Sequence, residues 1–277
     1  MMRVWIMAGV TFREAARKRV LWMALFAGAA FLLLFATAFH FQVVEFNDRH
    51  IAPFIRKQAL SGILTVGLYA IDLLVVVMTV LMSVDTLSGE IASGTIQAVA
   101  TKPVRRWEIL IGKWLGFAAM LTLYLFVMVG GINVITQLMA GVAAHHMTQG
   151  FGLIWLESML LLSVTFFFGT SFSTLTNGVL VLGLHGLAFL GGWIEQAGAL
   201  SNTPKAMDAG IVASIVMPSE ALWRRAAFEM QAPLTTALSF SPFSGVSVPS
   251  AAMIAYAALY ASVFLALAIW RLNIRDL

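Results

Sequence analysis

Six long apolar stretches dictate what this chain can fold into. They fall at about residues 20–41, 61–84, 109–137, 152–172, 178–194 and 250–270. Crossing the roughly 30 Å hydrocarbon core of a bilayer takes about 20 residues of helix, within a range of about 17–25. The expected fold is therefore an all-α integral membrane protein, a single transmembrane domain over residues 1–277 with six spans. Composition agrees. The chain is 60% hydrophobic and only 11% charged, against roughly 25% charge in a soluble domain, and its mean hydropathy is +0.90. No charge-rich segment is long enough for a separate soluble domain. The net charge of +4 comes from residues beside the spans, which fits membrane topology and not a nucleic-acid partner. The chain has no cysteine, which excludes disulfides and thiolate metal sites.

Residues 3–19 (RVWIMAGVTFREAARKR) repeat at helical period, with Trp5, Ala8, Phe12, Ala15 and Ala16 on one face and Arg3, Glu14, Arg17 and Lys18 largely opposite. That pattern predicts an interfacial helix resting on anionic headgroups. Ala36-Thr37-Ala38 has the form of a signal-cleavage site, but the long basic leader and an apolar run of about 20 residues favour a retained span. Residues 43–60 mix both charge signs and contain Pro53, so an aqueous loop is expected there. Residues 195–249 form the largest segment between spans and are expected as an outer loop. In it Ile211–Met217 is too short to cross, Pro218, Pro233, Pro242 and Pro249 break any long helix, and Ser219–Met230 reads as a short amphipathic helix capped by Ser219. With the N-terminus inside, 11 of the 17 Lys and Arg residues face the cytoplasm and 6 face outward. The bias predicts both termini in the cytoplasm, in a cell (inner) membrane.

The strongest charged interruption lies at residues 83–113. Asp85, Glu90, Lys102, Arg105, Arg106, Glu108 and Lys113 place seven of the chain's 17 basic and 13 acidic residues there. Ile96, Val99 and Ala100 recur at i, i+3, i+4, the apolar edge of a short helix. Gly94 precedes it, Thr95 or Ser93 can cap it, and Pro103 stops it.

This loop resembles the type-2 exporter permeases of ATP-binding-cassette (ABC) transporters. The matching residues are Ser88-Gly89-Glu90-Ile91, Gly94-Thr95-Ile96, Pro103, Arg106, Ile109 and Gly112-Lys113, in the pattern S-G-E-I-x-x-G-T-I…P-x-x-R-x-x-I-x-x-G-K. The basic N-terminal helix, six spans and a large outer segment before the last span fit as well. The resemblance is closest to permeases grouped with multi-copper-enzyme maturation. It implies a transmembrane subunit of an exporter whose loop, residues 85–108, carries a coupling helix seated in a separate ATPase subunit. By position, Glu90, Gly94, Thr95, Pro103, Arg106 and Lys113 would be the coupling residues, with Arg106 and Lys113 anchoring the next span at the headgroups. It also implies a second permease copy, as a homodimer or similar heterodimer, and ATP and magnesium bound by the partner and not by this chain. Gly112-Lys113-Trp114 lacks the upstream glycine and the Ser/Thr of a phosphate loop, and neither H-E-x-x-H nor G-x-S-x-G is present. The chain is therefore not expected to be an enzyme itself.

Three intramembrane polar residues are candidates for a translocation path: Asp72, Glu157 and His185. Asp72 near the middle of span two costs about 2.5–3.5 kcal/mol to insert, so it is expected to face the bundle interior. A structural hydrogen bond, through Tyr69 or His185, competes with a transport role. Glu157, about two turns inside span four, is expected within reach of interfacial water, and His185 is expected as a packed histidine. No paired carboxylates are expected at a coupled-ion site. His145-His146 in a loop lacks the spacing that would aim both rings at one metal ion, so no metal site is assigned. An alternative function places the activity in the outer segment 195–249, a scaffold or membrane enzyme holding a lipid or partner with Trp193, Trp223, Arg224 and Arg225.

Overall fold

In the computed structural model the described residues are 2–92, 105–231 and 247–274. Among them are nine helices and no strand: α1 (Met2–Arg17), α2 (Arg19–Asp48), α3 (Pro53–Ala92), α4 (Arg106–Ala140), α5 (Met147–Gly169), α6 (Thr174–Leu200), α7 (Pro204–Val216), α8 (Ser219–Met230) and α9 (Ala251–Ile274). Six of them, α2, α3, α4, α5, α6 and α9, are long and apolar enough to cross a membrane. The centre of the bundle is α3, α4 and α5, whose apolar stretches are mostly buried. By contrast, α2 and α9 bury only 17% of theirs and turn side chains such as Phe26, Leu34 and Leu259 outward.

Several ends differ from what hydropathy suggests. Residues 43–60 are not one aqueous loop: α2 continues to Asp48 and α3 begins at Pro53, leaving a four-residue turn. Proline at the first helical position lacks only an N–H that would be unpaired there anyway, so Pro53 starts a helix instead of breaking one. Apolarity stops where the bilayer stops, but backbone hydrogen bonding does not. At 40 residues, α3 is about 60 Å long at 1.5 Å per residue, twice the hydrocarbon thickness.

Small residues let helices close on one another. A Cβ at Gly112 would sit 2.5 Å from the Met7 Cβ, and one at Gly116 would sit 2.8 Å from the Ala8 carbonyl, so α1 lies directly on the backbone of α4. Without a hydrophobic force between helices in lipid, such backbone approach and interhelical hydrogen bonds hold spans together. Asn177 of α6 supplies two of these bonds, donating to the carbonyls of Val84 on α3 (3.3 Å) and Thr165 on α5 (3.0 Å).

The described parts of the segment expected as an outer loop, residues 195–231 and 247–249, are mostly helical and pack on the bundle. From the end of α6 the chain turns back, and α7 runs antiparallel along it: a Cβ at Gly198 would meet Ala206 and one at Gly191 would meet Ala213. At 13 residues, α7 covers about 20 Å, short of the hydrocarbon thickness. There α8 begins, with Ser219 beside His185 in the middle of α6, and runs back towards the turn before α5, its last residue, Met230, accepting a bond from the His145 N–H at 3.0 Å. A helix end in a lipid environment needs its carbonyls satisfied by protein. The hydroxyls of Tyr256 and Tyr260 on α9 do this, donating to the α7 carbonyls of Ile215 (2.6 Å) and Val216 (2.9 Å). Ser219 is not the cap of α8 but its first residue, after Pro218.

Candidate functional site: a loop base and a buried polar core

Two assemblies carry the charged residues. The first is the base of the loop between α3 and α4. The Arg105 N–H donates to Glu108 Oε2 at 2.9 Å, fixing the first turn of α4. The Arg106 guanidinium donates to the carbonyls of Leu272 (3.2 Å) and Asn273 (3.3 Å), tying the start of α4 to the end of α9. A cation on terminal carbonyls is also favoured by the helix dipole. Lys113 is not at the headgroups: its side chain is 7% exposed, and its ammonium pairs with the carboxylate of Glu90, which is 20% exposed. The pair clamps α3 to α4 below the loop. Beside it, Thr174 at the start of α6 donates to Asp85 at 3.1 Å and lies 3.0 Å from the Ser88 hydroxyl. Gly94, Thr95 and Pro103, and with them the expected coupling helix, lie outside the described residues.

A match to a family model decides what this architecture is. The model of the ABC-2 family transporter protein aligns with residues 5–277, almost the whole chain. The chain belongs to this family. It is a multi-pass membrane protein and the permease component of an ABC transporter, a kind of subunit that works with a partner ATPase. No curated protein matches it.

The second assembly sits inside the permease where α3, α5, α6, α7 and α8 meet. Asp72 of α3 and Glu157 of α5 are side by side, with Glu220 of α8 close enough to repel both. All three are buried, Glu157 completely. Interfacial water therefore does not reach Glu157, and carboxylates do pair, contrary to both expectations from sequence. Hydropathy could not show this, because the partners are 85 residues apart and meet only through helix packing. Asp72 finds Glu157 where Tyr69 or His185 was expected. His185 Nδ1 lies 2.9 Å from the Ser219 hydroxyl and 3.9 Å from Glu157 Oε1, so it joins the cluster instead of merely packing. Burial pushes the Glu220 carboxyl well above the usual carboxylate range. Asp72 adds to that shift and Arg224 opposes it.

Arg224 and Glu195 complete the assembly. Arg224 Nη2 donates to Glu195 Oε2 at 2.8 Å and to the Ser214 hydroxyl at 3.2 Å, and Ser247 donates to Glu195 Oε1 at 2.5 Å. These bonds pin α7 and α8 to α6. Arg224 and Trp223 are 3% exposed, so neither offers a surface to a lipid or partner as the alternative function requires. Glu195 and Glu220 were not singled out from the sequence. Their signal was an acid and an arginine on α8, a helix too short to span, and a second acid near the end of α6.

At the turn between α4 and α5, the His145 and His146 rings lie 4.3 Å apart, and His146 Nδ1 is 3.4 Å from Glu229, itself paired with Arg225 at 2.7 Å. Among the described residues no group of three or more His, Asp or Glu is placed to hold a metal ion.

Proposed function

We propose that this chain is the permease subunit of an ATP-driven exporter, coupled to its ATPase through residues 85–113. Family membership supports the transporter assignment. The observation that carries the coupling assignment is the clamped loop base: a helix about twice as long as the bilayer is thick, joined to its neighbour by Glu90 and Lys113 on the cytoplasmic side of the proposed topology. A rigid extension transmits a push as a lever does. The loop it carries, with Gly94, Thr95 and Pro103, is where an ATPase subunit would seat. The ATPases bind ATP and magnesium. Two permease copies, identical or similar, stand side by side in the cell (inner) membrane with both termini in the cytoplasm. ATPase closure moves the two loop bases and opens the path alternately to either side. Asp72, Glu157 and His185 line or gate that path.

The test is copurification from native membranes in mild detergent, followed by ATPase assays. A near-stoichiometric ATPase that is lost when residues 95–102 are replaced by a glycine linker is the expected result. Glu90→Ala and Arg106→Ala should lower coupled ATPase activity with the permease still in the membrane. A chain that purifies alone in several mild detergents, with a glycine-linker variant indistinguishable from wild type, overturns the proposal.

A further inference from the structure

The polar core contains more carboxyl groups than its partners could balance if all were ionised. Asp72, Glu157, Glu220 and Glu195 face one guanidinium, that of Arg224, which is committed to Glu195 and Ser214. The other charged or titratable groups facing the cluster are His185 of α6 and the Tyr69 phenol of α3. Burying a carboxylate without a counter-charge or hydrogen bonds is costly. Yet among the described residues neither oxygen of Glu157, nor Oδ1 of Asp72, meets a donor other than the facing carboxyl of the pair. Glu157 is wholly buried and points into the acidic group formed with Asp72 and Glu220. A carboxyl pair held only by its own members is a ready acceptor for a cationic donor.

The surroundings say which kind. The acids and histidines are not placed for a metal ion, but aromatic rings flank them. One turn before Asp72, the Tyr69 ring lies 5.1 Å from Trp223 and 6.3 Å from Phe189, which in turn lies 6.0 Å from Trp193. Phe189 and Trp193 are half-buried, so a row of rings runs from the surface of α6 to the carboxylates. Ring faces attract cations and their area suits an apolar body.

We propose that Asp72 and Glu157 bind the ammonium group of a protonated amine whose aromatic or apolar body rests against Tyr69, Phe189 and Trp193. The ammonium donates to the Glu157 and Asp72 oxygens, and the organic body replaces ring–ring and ring–lipid contacts. Calling this ligand a transported substrate rests on the proposed permease function; the site itself does not.

The experiment uses the full-length permease in lipid nanodiscs without any ATPase, so its failure leaves the transporter assignment untouched. Radiolabelled 2-naphthylmethylamine is compared with 2-naphthylmethanol, which has the same body without the charge, and empty nanodiscs correct for partitioning. Wild type should bind the amine at least about tenfold more tightly than the alcohol. Asp72→Asn and Glu157→Gln should each abolish most of that preference while leaving alcohol binding unchanged, and Glu45→Gln, at an exposed carboxylate of α2, should keep it. Equal binding of the two probes by wild type overturns the proposal even if no variant folds. So does a preference that survives Glu157→Gln, or a pH-dependent protein that shows no amine preference, which would mean that protons alone fill the site.

Discussion

Removing Glu90 should cost more than removing a surface carboxylate. Its partner, the Lys113 ammonium, is on a side chain only 7% exposed. Breaking a buried pair by deleting one member leaves the other charge uncompensated, at about 3–5 kcal/mol. Glu90 is itself 20% exposed and lets some water in, so about 3 kcal/mol is expected for Glu90→Gln, and nearer the top of the range for Lys113→Glu. Removing both charges, as Glu90→Gln with Lys113→Met, should recover most of the loss, because neither group is then stranded. The assay is a double-mutant cycle on unfolding in mixed micelles titrated with SDS. A coupling energy of about 2 kcal/mol or more is expected, against the roughly 0.5 kcal/mol within which independent sites add. Additive single losses would refute the clamp. In the assembled transporter the double variant should restore stability but not full coupling of ATPase activity, since the loop base would then be held by packing alone.

Other elements give equally concrete outcomes. Gly116→Val should displace α1 from α4, because even the first added carbon lies 2.8 Å from the Ala8 carbonyl; protease access to α1 in membranes would report it. Tyr260→Phe strips the donor from the Val216 carbonyl and should cost about 1–3 kcal/mol, seen as a lower melting temperature in detergent. Asn177→Leu removes two interhelical bonds and should cost about 1–2 kcal/mol by the same melting measurement, since bonds of this kind in membranes are worth about 0.6 each and at most about 1.7. Arg224→Met leaves Glu195 buried beside Ser214 and Ser247 and should cost about 3–5 kcal/mol, with faster alkylation of a cysteine placed at Ser214 in this otherwise cysteine-free chain.

The number and order of the spans were legible because a bilayer imposes a minimum apolar length on every crossing helix. The short helix 219–230 was legible because Pro218 marks its start and charges follow at once. Its surroundings were not. An amphipathic pattern says that one face is polar, and in water that face would be solvated. Here Glu220 and Arg224 of the polar face meet Asp72 and Glu195 inside the protein. The same limit hid the partners of Lys113 and Glu157. A charge near a span end looks the same in sequence whether it reaches outward to headgroups or inward to a carboxylate 23 residues away. The motif 88–113 pointed to the family before any fold was visible, since its glycine, proline and charge spacing survives without tertiary context. Three of its six coupling candidates, Glu90, Arg106 and Lys113, proved to be joints between helices.

The two tyrosine bonds that close the end of α7 also set an order of assembly. Their donors, Tyr256 and Tyr260, belong to α9, which is synthesised after α7 and α8. Until α9 enters the membrane, the carbonyls of Ile215 and Val216 have no tyrosine to receive them, and hydrocarbon offers no substitute. The half-crossing hairpin of α7 and α8 must therefore wait at the membrane surface during translation and sink into place only when the C-terminal helix arrives. A chain cut before residue 251 should therefore leave its hairpin exposed, which protease access to residues 204–230 in membranes would report.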